Sequence, residues 1–486
     1  MYFWLTPILV FALLGLLVRL YIIYTHLNGF PVPPFVPILG HLHYYLDPHN
    51  SLSYLTSNLI KHGGVIRQFI GPRKPSLAIG NKEFLQFMCT NNKYVCKAKY
   101  YDFMKSWLGE GLITSDGPKW LARRKALTAS FTQTSVLKSF VQTFEEKGDI
   151  LVTILGKLQN RNINIHPIMK RFTLDIIYET AMGLKLDSQS TTKDSAYAKA
   201  IETICTSIQE RMFSYLKQFQ FFYQFTETCE KERRGLAIVD WALHKIIEKK
   251  RESKEKTDQH KSMLDLLLEI DIDGKVLSID DIREEINTFL FAGYDTSSSA
   301  MSLALYQIAQ NPEIQEKLYQ EQLDIFKDEL KPQVTYDKLQ EMVYLEMVIK
   351  ETLRMHTIVP CIGKKITKDL IYDGKLLPEN LNFNVCIHAF HHNPAYFPEP
   401  EKFLPERFAN KTNIKKFTYM PFGVKPRQCL GKNFAMLEMK SALSKLVRNF
   451  TFTQVPGHQL KLVPKLVLFS TSGIGVRLKK RHILKM

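Results

Sequence analysis

From Asn50 to His356 apolar residues recur at three- and four-residue intervals, the spacing that gathers them on one face of a helix. The longest amphipathic stretches are Thr134 to Leu158, Leu236 to Lys254 and Pro312 to Asp328, and strand signals between them are few. Beyond Thr357 the texture changes to short apolar runs with Gly363, Gly374 and a proline-rich stretch (Pro394, Pro398, Pro400, Pro405), which predicts strands and turns. A last helix is expected over Lys432 to Asn449, then alternating β-like positions around Leu466 to Leu478. The pattern predicts a mainly α chain with small β-sheets. No repeat or flexible linker cuts it, so one large domain is expected over residues 41–486.

The amino terminus reads differently. No charged side chain occurs from Tyr2 to Val18, and the apolar run resumes after Arg19 through Tyr24. That length suits a transmembrane helix over residues 1–24; a cleaved signal peptide would show a basic start, a shorter apolar core and a small-residue cleavage site. Lys61, Arg67, Arg73, Lys74 and Lys82 outnumber Asp47 among the early charges, which places the remainder on the cytoplasmic side. Pro31, Pro33, Pro34 and Pro37, closed by Gly40, predict a stiff spacer over residues 25–40, with an ordinary irregular connection as the alternative.

Composition then narrows the class. Of 486 residues 45% are hydrophobic and 23% charged, which excludes a disordered or fibrous chain. The net charge of +17 calls for an anionic partner: nucleic acid, acidic protein or membrane surface. A nucleic-acid binder needs a clustered basic patch or motif, and neither occurs. The seven cysteines are odd in number, widely spaced and without a C-x-x-C pair, so a reducing compartment is expected.

The chemistry concentrates in Pro421 to Gly431. A cysteine that opens a helix, Cys429, lies near unpaired backbone N–H groups and the positive end of the helix dipole, with Arg427 adding charge. A thiolate so stabilised makes a strong axial metal ligand; the bland reading is a buried structural cysteine. With Phe422, Arg427 and Gly431, the segment resembles the haem-binding loop F-x-x-G-x-R-x-C-x-G of the cytochrome P-450 monooxygenases. Lys425 stands where that family has glycine, and a lysine disfavours positive φ, so the loop's bend is expected to differ or the lysine stem to point outward.

Three further elements support the resemblance. Glu351 and Arg354 lie one turn apart on a helix expected from Met342, and Pro405-Glu406-Arg407-Phe408 precedes the cysteine loop; the resemblance implies a buried network of Glu351, Arg354 and Arg407. Ala292-Gly293-Tyr294-Asp295-Thr296 is similar to the family's oxygen-binding motif, in which Thr296 would hold a proton-delivering water with Asp295 assisting. Gly293, unfavourable within a helix, needs either a ligand groove or a close helix contact to explain it. Trp120 and Arg124 stand at the spacing the family uses beside a haem propionate, and Lys364 is a further candidate there.

These motifs occur in the family's order along nearly the whole chain. The stretches Thr173 to Gly183 and Met263 to Leu268 resemble the family-four branch of animal microsomal members. The resemblance implies the cytochrome P-450 fold, an N-terminal transmembrane helix in the endoplasmic reticulum membrane, and haem b with Cys429 as iron ligand. The haem is expected to be non-covalent, since Ala292 replaces the glutamate that forms an ester in many family-four members. It also implies electrons from NADPH through NADPH-cytochrome P-450 reductase, cytochrome b5 as a further donor, and insertion of one atom of O2 into a lipophilic substrate: fatty-acid-like, hydrocarbon, terpenoid or steroid. The substrate is expected beside Ala292 to Thr296, Tyr100 to Gly117, Thr357 to Gly363 and Phe469 to Ser472. Phe213, Tyr215, Phe219, Phe221, Phe222, Tyr223 and Phe225 would line a path from the membrane or pack in a core. Lys119, Arg123, Lys125, Lys425, Lys432 and Lys440 are the expected contacts for an acidic electron donor. The alternative is a haem-binding protein that has lost turnover, with Lys425 as its symptom.

Overall fold

The computed structural model describes residues 27–37, 39–69, 75–90, 96–190, 196–214, 216–252, 261–272, 274–327 and 333–481, together with Gly15, Val18 and Tyr21. The side chains of residues 130, 213, 252 and 411 are not among those described. Two compact units are interleaved along the chain: residues 1–99, 360–401 and 415–427 form one, and residues 100–359, 402–414 and 428–486 the other. The expected anchor, residues 1–24, lies outside the described residues apart from Gly15, Val18 and Tyr21. Among the described residues no helix is long and apolar enough to cross a membrane.

The larger unit is built on the helix Ile279–Gln310, 32 residues long. It starts sharply because Ser278 and Asp281 form a capping box, each side chain satisfying the other's backbone N–H. It ends before Pro312, which opens the next helix, Pro312–Phe326, where a missing N–H costs nothing. Every residue from Ser297 to Ala309 is buried, so other elements pack against it on all sides. His166–Met182, Val343–Met355 and Lys432–Asn449 all pack against it. The expected helices are present as Thr134–Gly156, Glu227–Glu252, Pro312–Phe326 and Lys432–Asn449. Glu227–Glu252 crosses Ala196–Phe213 closely at Gly235, where a Cβ would fall 2.9 Å from Ile204 Cγ1. The C-terminal strand signal becomes the antiparallel sheet Phe450–Gln454, Gly475–Lys480 and Asn162–Asn164, beside a hairpin of Leu462–Pro464 and Leu468–Ser470.

The smaller unit holds a four-stranded sheet in the order Val65–Gln68, Ser76–Ile79, Asn382–Val385, Ile362–Lys365. Its first two strands fall in the stretch expected to be helical. Each is four residues long and mostly buried, too short to show an alternating pattern. Leu77, Ile79, Phe84, Phe383, Val385 and Phe390 form the core of this unit. The proline cluster runs along this unit: Phe30 is in the same core, and Arg67 N–H donates to Pro31 O at 2.8 Å. Gly40 closes it at φ +64°, and a Cβ there would lie 2.5 Å from Phe69 O, so only glycine fits.

Candidate active site

Cys429 stands just before the helix Lys432–Asn449, whose N-cap is Gly431 and whose first turn has no side-chain cap. The first-turn N–H groups are therefore available, and the Gly431 N–H bonds to the sulfur. Burial nonetheless pushes the Cys429 thiol up overall, against the pull of Gly431, Arg124 and Lys432. By surface area the residue is exposed, so protein atoms desolvate it from one side while another remains reachable. The cations acting on it are Arg124, half-buried on the helix Gly117–Phe131, and Lys432. Trp120, buried, lies one turn before Arg124 on that helix. A reachable sulfur with an N–H donor and two cations beside it fits the thiolate side of a haem iron.

Phe422, Arg427 and Lys364 belong to the smaller unit. Phe422 and Arg427 are half-buried, and Lys364 is buried in the strand Ile362–Lys365, its backbone bridged to Lys97. The positive φ in this stretch is at Gly423, +72°, two residues before Lys425. Lys425 is exposed and has no positive φ, so its side chain brings no backbone strain.

The charge network is assembled within the larger unit. Arg354 Nε donates to Glu351 Oε2 at 2.7 Å and its NH2 to Oε1 at 2.9 Å, a bidentate pair with both side chains wholly buried. Arg407 Nε reaches Glu351 Oε1 at 3.3 Å, Leu404 N–H donates to the same oxygen at 2.9 Å, and Arg354 NH2 donates to Lys402 O at 3.2 Å. Glu351 Oε1 accepts three of these bonds and Oε2 a fourth, and this pairing makes a buried charge tolerable.

On the long helix, Thr296 Oγ1 donates to Ala292 O at 2.6 Å. Asp295 Oδ1 pairs with Lys170 Nζ at 3.2 Å, and Lys170 also reaches Glu202 at 3.6 Å and lies over the Tyr294 ring at 5.2 Å. Burial, with Lys170 adding to it, pulls the nearby His166 down to about 4. Gly293 has a packing reason: a Cβ would sit 2.8 Å from Ile177 Cδ1 on His166–Met182. The loop from Tyr100 to Gly117 is tied to the same helix. Asn287 Nδ2 donates to Trp107 O at 3.3 Å, and the Trp107 and Phe291 rings meet edge-on at 5.6 Å. Leu468 N–H donates to Ile358 O at 2.8 Å, bringing the Thr357 stretch beside the hairpin that leads into Phe469 to Ser472.

Two of the six basic residues expected to meet an acidic donor are corrected. Arg123 is buried, bonded to Asp281, to Glu284 at 3.0 Å and to Glu285 at 3.1 Å. Lys440 is buried too, pairing with Glu346 at 2.7 Å and donating to Leu339 O at 3.0 Å. Lys119, Lys125, Lys425 and Lys432 are exposed. Among the described side chains of the aromatic run, Phe219, Phe221, Phe222 and Phe225 are exposed and Tyr223 packs inward, its hydroxyl bonding to Glu232. Tyr215 and the Phe213 side chain lie outside the described residues.

Sequence reasoning missed Lys170 and Glu438. The first lies on another helix from Asp295, and no local spacing links them. Glu438 is buried on Lys432–Asn449, hydrogen-bonded through Ser297 of the long helix, with Oε2 lacking a partner; burial raises its carboxyl to about 8. A lone acid among Leu437, Met439 and Ala442 on a helix that reads as core was the available signal.

Comparisons with known proteins agree on one family. The cytochrome P-450 family model matches residues 30–478. Cytochrome P-450 4d2 of Drosophila melanogaster is 35% identical, with 93% of this chain and 94% of that protein covered. Cytochrome P-450 4V2 of Mus musculus is also 35% identical, covering 92% of this chain and 88% of that protein. The crystal structure of the cytochrome P-450DA heme domain superposes with a TM-score of 0.84 at 23% identity, over 93% of this chain and 98% of that one, which establishes the fold.

Proposed function

The chain belongs to the cytochrome P-450 family, and from that premise we propose that it inserts one oxygen atom of O2 into a C–H bond of a fatty-acid-like, hydrocarbon, terpenoid or steroid substrate. Family membership makes it a haem-iron monooxygenase that requires dioxygen and a redox partner. The observation that carries the residue assignment is Cys429: a reachable sulfur at a helix start, with a Gly431 N–H and two cations acting on it.

In this reading haem b is held without a covalent bond, because Ala292 offers no nucleophile. Cys429 is the iron ligand, with Phe422, Arg427 and Gly431 shaping its loop, and Trp120, Arg124 and Lys364 serve the propionates. When bound, the haem supplies the redox centre at which dioxygen is activated. Thr296 holds a water by releasing its bond to Ala292 O, and Asp295 passes it a proton from the side where Lys170 sits. Glu351, Arg354 and Arg407 are structural. Electrons come from NADPH through NADPH-cytochrome P-450 reductase, with cytochrome b5 as a second donor. Residues 1–24 anchor the protein in the endoplasmic reticulum membrane, leaving residues 41–486 as one cytoplasmic catalytic domain. Phe219, Phe221, Phe222 and Phe225, exposed together, dip into the lipid surface.

Lys425, exposed and without a positive φ, supports turnover over the impaired-haem-protein alternative. Reconstitution with reductase and NADPH, after a type I spectral titration over those four substrate classes, is the test. Oxygen consumption matched by hydroxylated product is expected; a normal thiolate-type carbon monoxide spectrum without product from any class would favour the alternative. Loss of that spectrum in Cys429→Ala is expected, and an unchanged one would move the ligand elsewhere.

A further inference from the structure

Two cysteines that the oxygenase chemistry does not use face each other across the four-stranded sheet. The strand Ile362–Lys365 runs antiparallel to Asn382–Val385 with Ile362 opposite Val385, and the next step of that register sets Cys361 opposite Cys386. Beyond the strand ends the two segments stay side by side, with His388 N–H donating to Pro360 O at 3.2 Å, one residue out of that register. Backbone directions define the kind of pair. Cys386 N–H turns to the other neighbouring strand and donates to Ile79 O at 2.8 Å, while Gly363 O, two residues after Cys361, accepts from Ala98 on the far side. Neither cysteine spends its backbone groups on the other, so theirs is a non-hydrogen-bonded pair. Such pairs have Cα atoms about 4.5 Å apart and the closest side chains in a sheet. That spacing lies inside the window of roughly 4.4–6.8 Å that a disulfide accepts. The two side chains are already in hydrogen-bonding contact, and Cys386 Sγ lies 3.6 Å from Asn384 O.

We propose that Cys361 and Cys386 are a modification site, a cross-strand thiol pair that hydrogen peroxide converts to a disulfide and cellular thiols convert back. The two partners have different roles. Cys386 is buried against Leu55, Leu59, Ile66, Ala78 and Ala389, and the hydrogen bond to Cys361, then burial, push its own thiol up, so it does not react first. Cys361 is half-buried and takes the oxidant. Its sulfur attacks one peroxide oxygen, the O–O bond breaks, and a sulfenic acid and water result. The Cys386 sulfur then displaces the hydroxyl from Cys361, releasing a second water and forming the S–S bond. In sum two thiols lose two electrons and two protons, and one peroxide is reduced to two waters. The site goes beyond the monooxygenase reading and does not depend on it.

The test uses the full-length, haem-loaded protein exposed to graded hydrogen peroxide, alkylated under denaturing conditions, digested and weighed. A peptide joining Cys361 to Cys386, lighter by two hydrogens, is expected at doses that leave Cys205, whose thiol burial pushes up, open to alkylation. Dithiothreitol should return both thiols. Cys386→Ser should stop at a sulfenic acid on Cys361 that dimedone captures, and Cys361→Ser should leave Cys386 reduced. Full alkylation of Cys386 at doses that oxidise Cys361, or a bridge from Cys361 to another cysteine, would overturn the proposal.

Discussion

At the scale of single residues the buried charges decide stability. Glu351 accepts from two arginines and a backbone N–H. Replacing it with alanine would leave Arg354 buried without its counter-ion, at a cost of about 3–5 kcal/mol. A fall in the melting temperature and loss of haem-loaded yield are expected, and a near-normal unfolding curve would contradict the network's role. Glu438 carries the opposite case, an acid whose carboxyl burial raises to about 8. Its folded-state pKa lies above its unfolded one, so its contribution is complete below about pH 4.5 and is lost as pH climbs through about 8. The loss is about 1.4 kcal/mol for each pH unit on the way. Glu438→Gln keeps shape and hydrogen bond but has no proton to lose. Its stability advantage over the parent should widen from pH 5 to 8 in denaturant titrations; parallel curves would show that Glu438 titrates normally. Both residues lie on helices expected from the chain pattern, but only the Glu351 spacing was visible. The partners of Glu438 and Asp295 come from other helices, and pairing across helices leaves no mark in a local pattern.

Elements were legible where they are long. The Lys432–Asn449 helix and the amphipathic stretches stand where the apolar period puts them, because a face of several turns gives enough repeats to set the phase. Val65–Gln68 and Ser76–Ile79 were not, since four buried residues give no period. Gly293 shows how an element contact settles a reading that the sequence left open between groove and packing. Alanine there gains about 1 kcal/mol of helix propensity. Its Cβ would stand 2.8 Å from Ile177 Cδ1 and 2.9 Å from Cγ1, and overpacking costs about 1–3 kcal/mol. The clash outweighs the propensity, so Gly293→Ala should destabilise. Ile177→Ala opens space at that point at its own cost of about 2–5 kcal/mol, so the double variant should lose much less than the sum of the two single losses. Additive losses in that cycle would mean that Ile177 is not what excludes the side chain.

At the scale of the whole molecule, the charge of +17 matters only through the side chains left free to meet a partner. Arg123 and Lys440 are spent inside ion pairs, whereas Lys125 and Lys432 are exposed on the two helices whose residues act on Cys429. If an acidic reductase docks beside that cysteine, the pair Lys125→Glu and Lys432→Glu should slow the first electron transfer by about tenfold at low salt. The two proteins should converge near 1 M salt, where screening shrinks to about 3 Å. Because Lys432 also acts on the Cys429 sulfur, the haem potential must be measured alongside; a shift in potential persists at high salt, and a docking defect does not. Lys440→Glu makes the contrast. It places like charge against Glu346 in a buried site, so it should lower the melting temperature and leave the salt dependence of the surviving protein unchanged. Equal salt profiles for the parent and the Lys125, Lys432 double reversal would remove these lysines from the docking surface and return the excess charge to the general surface.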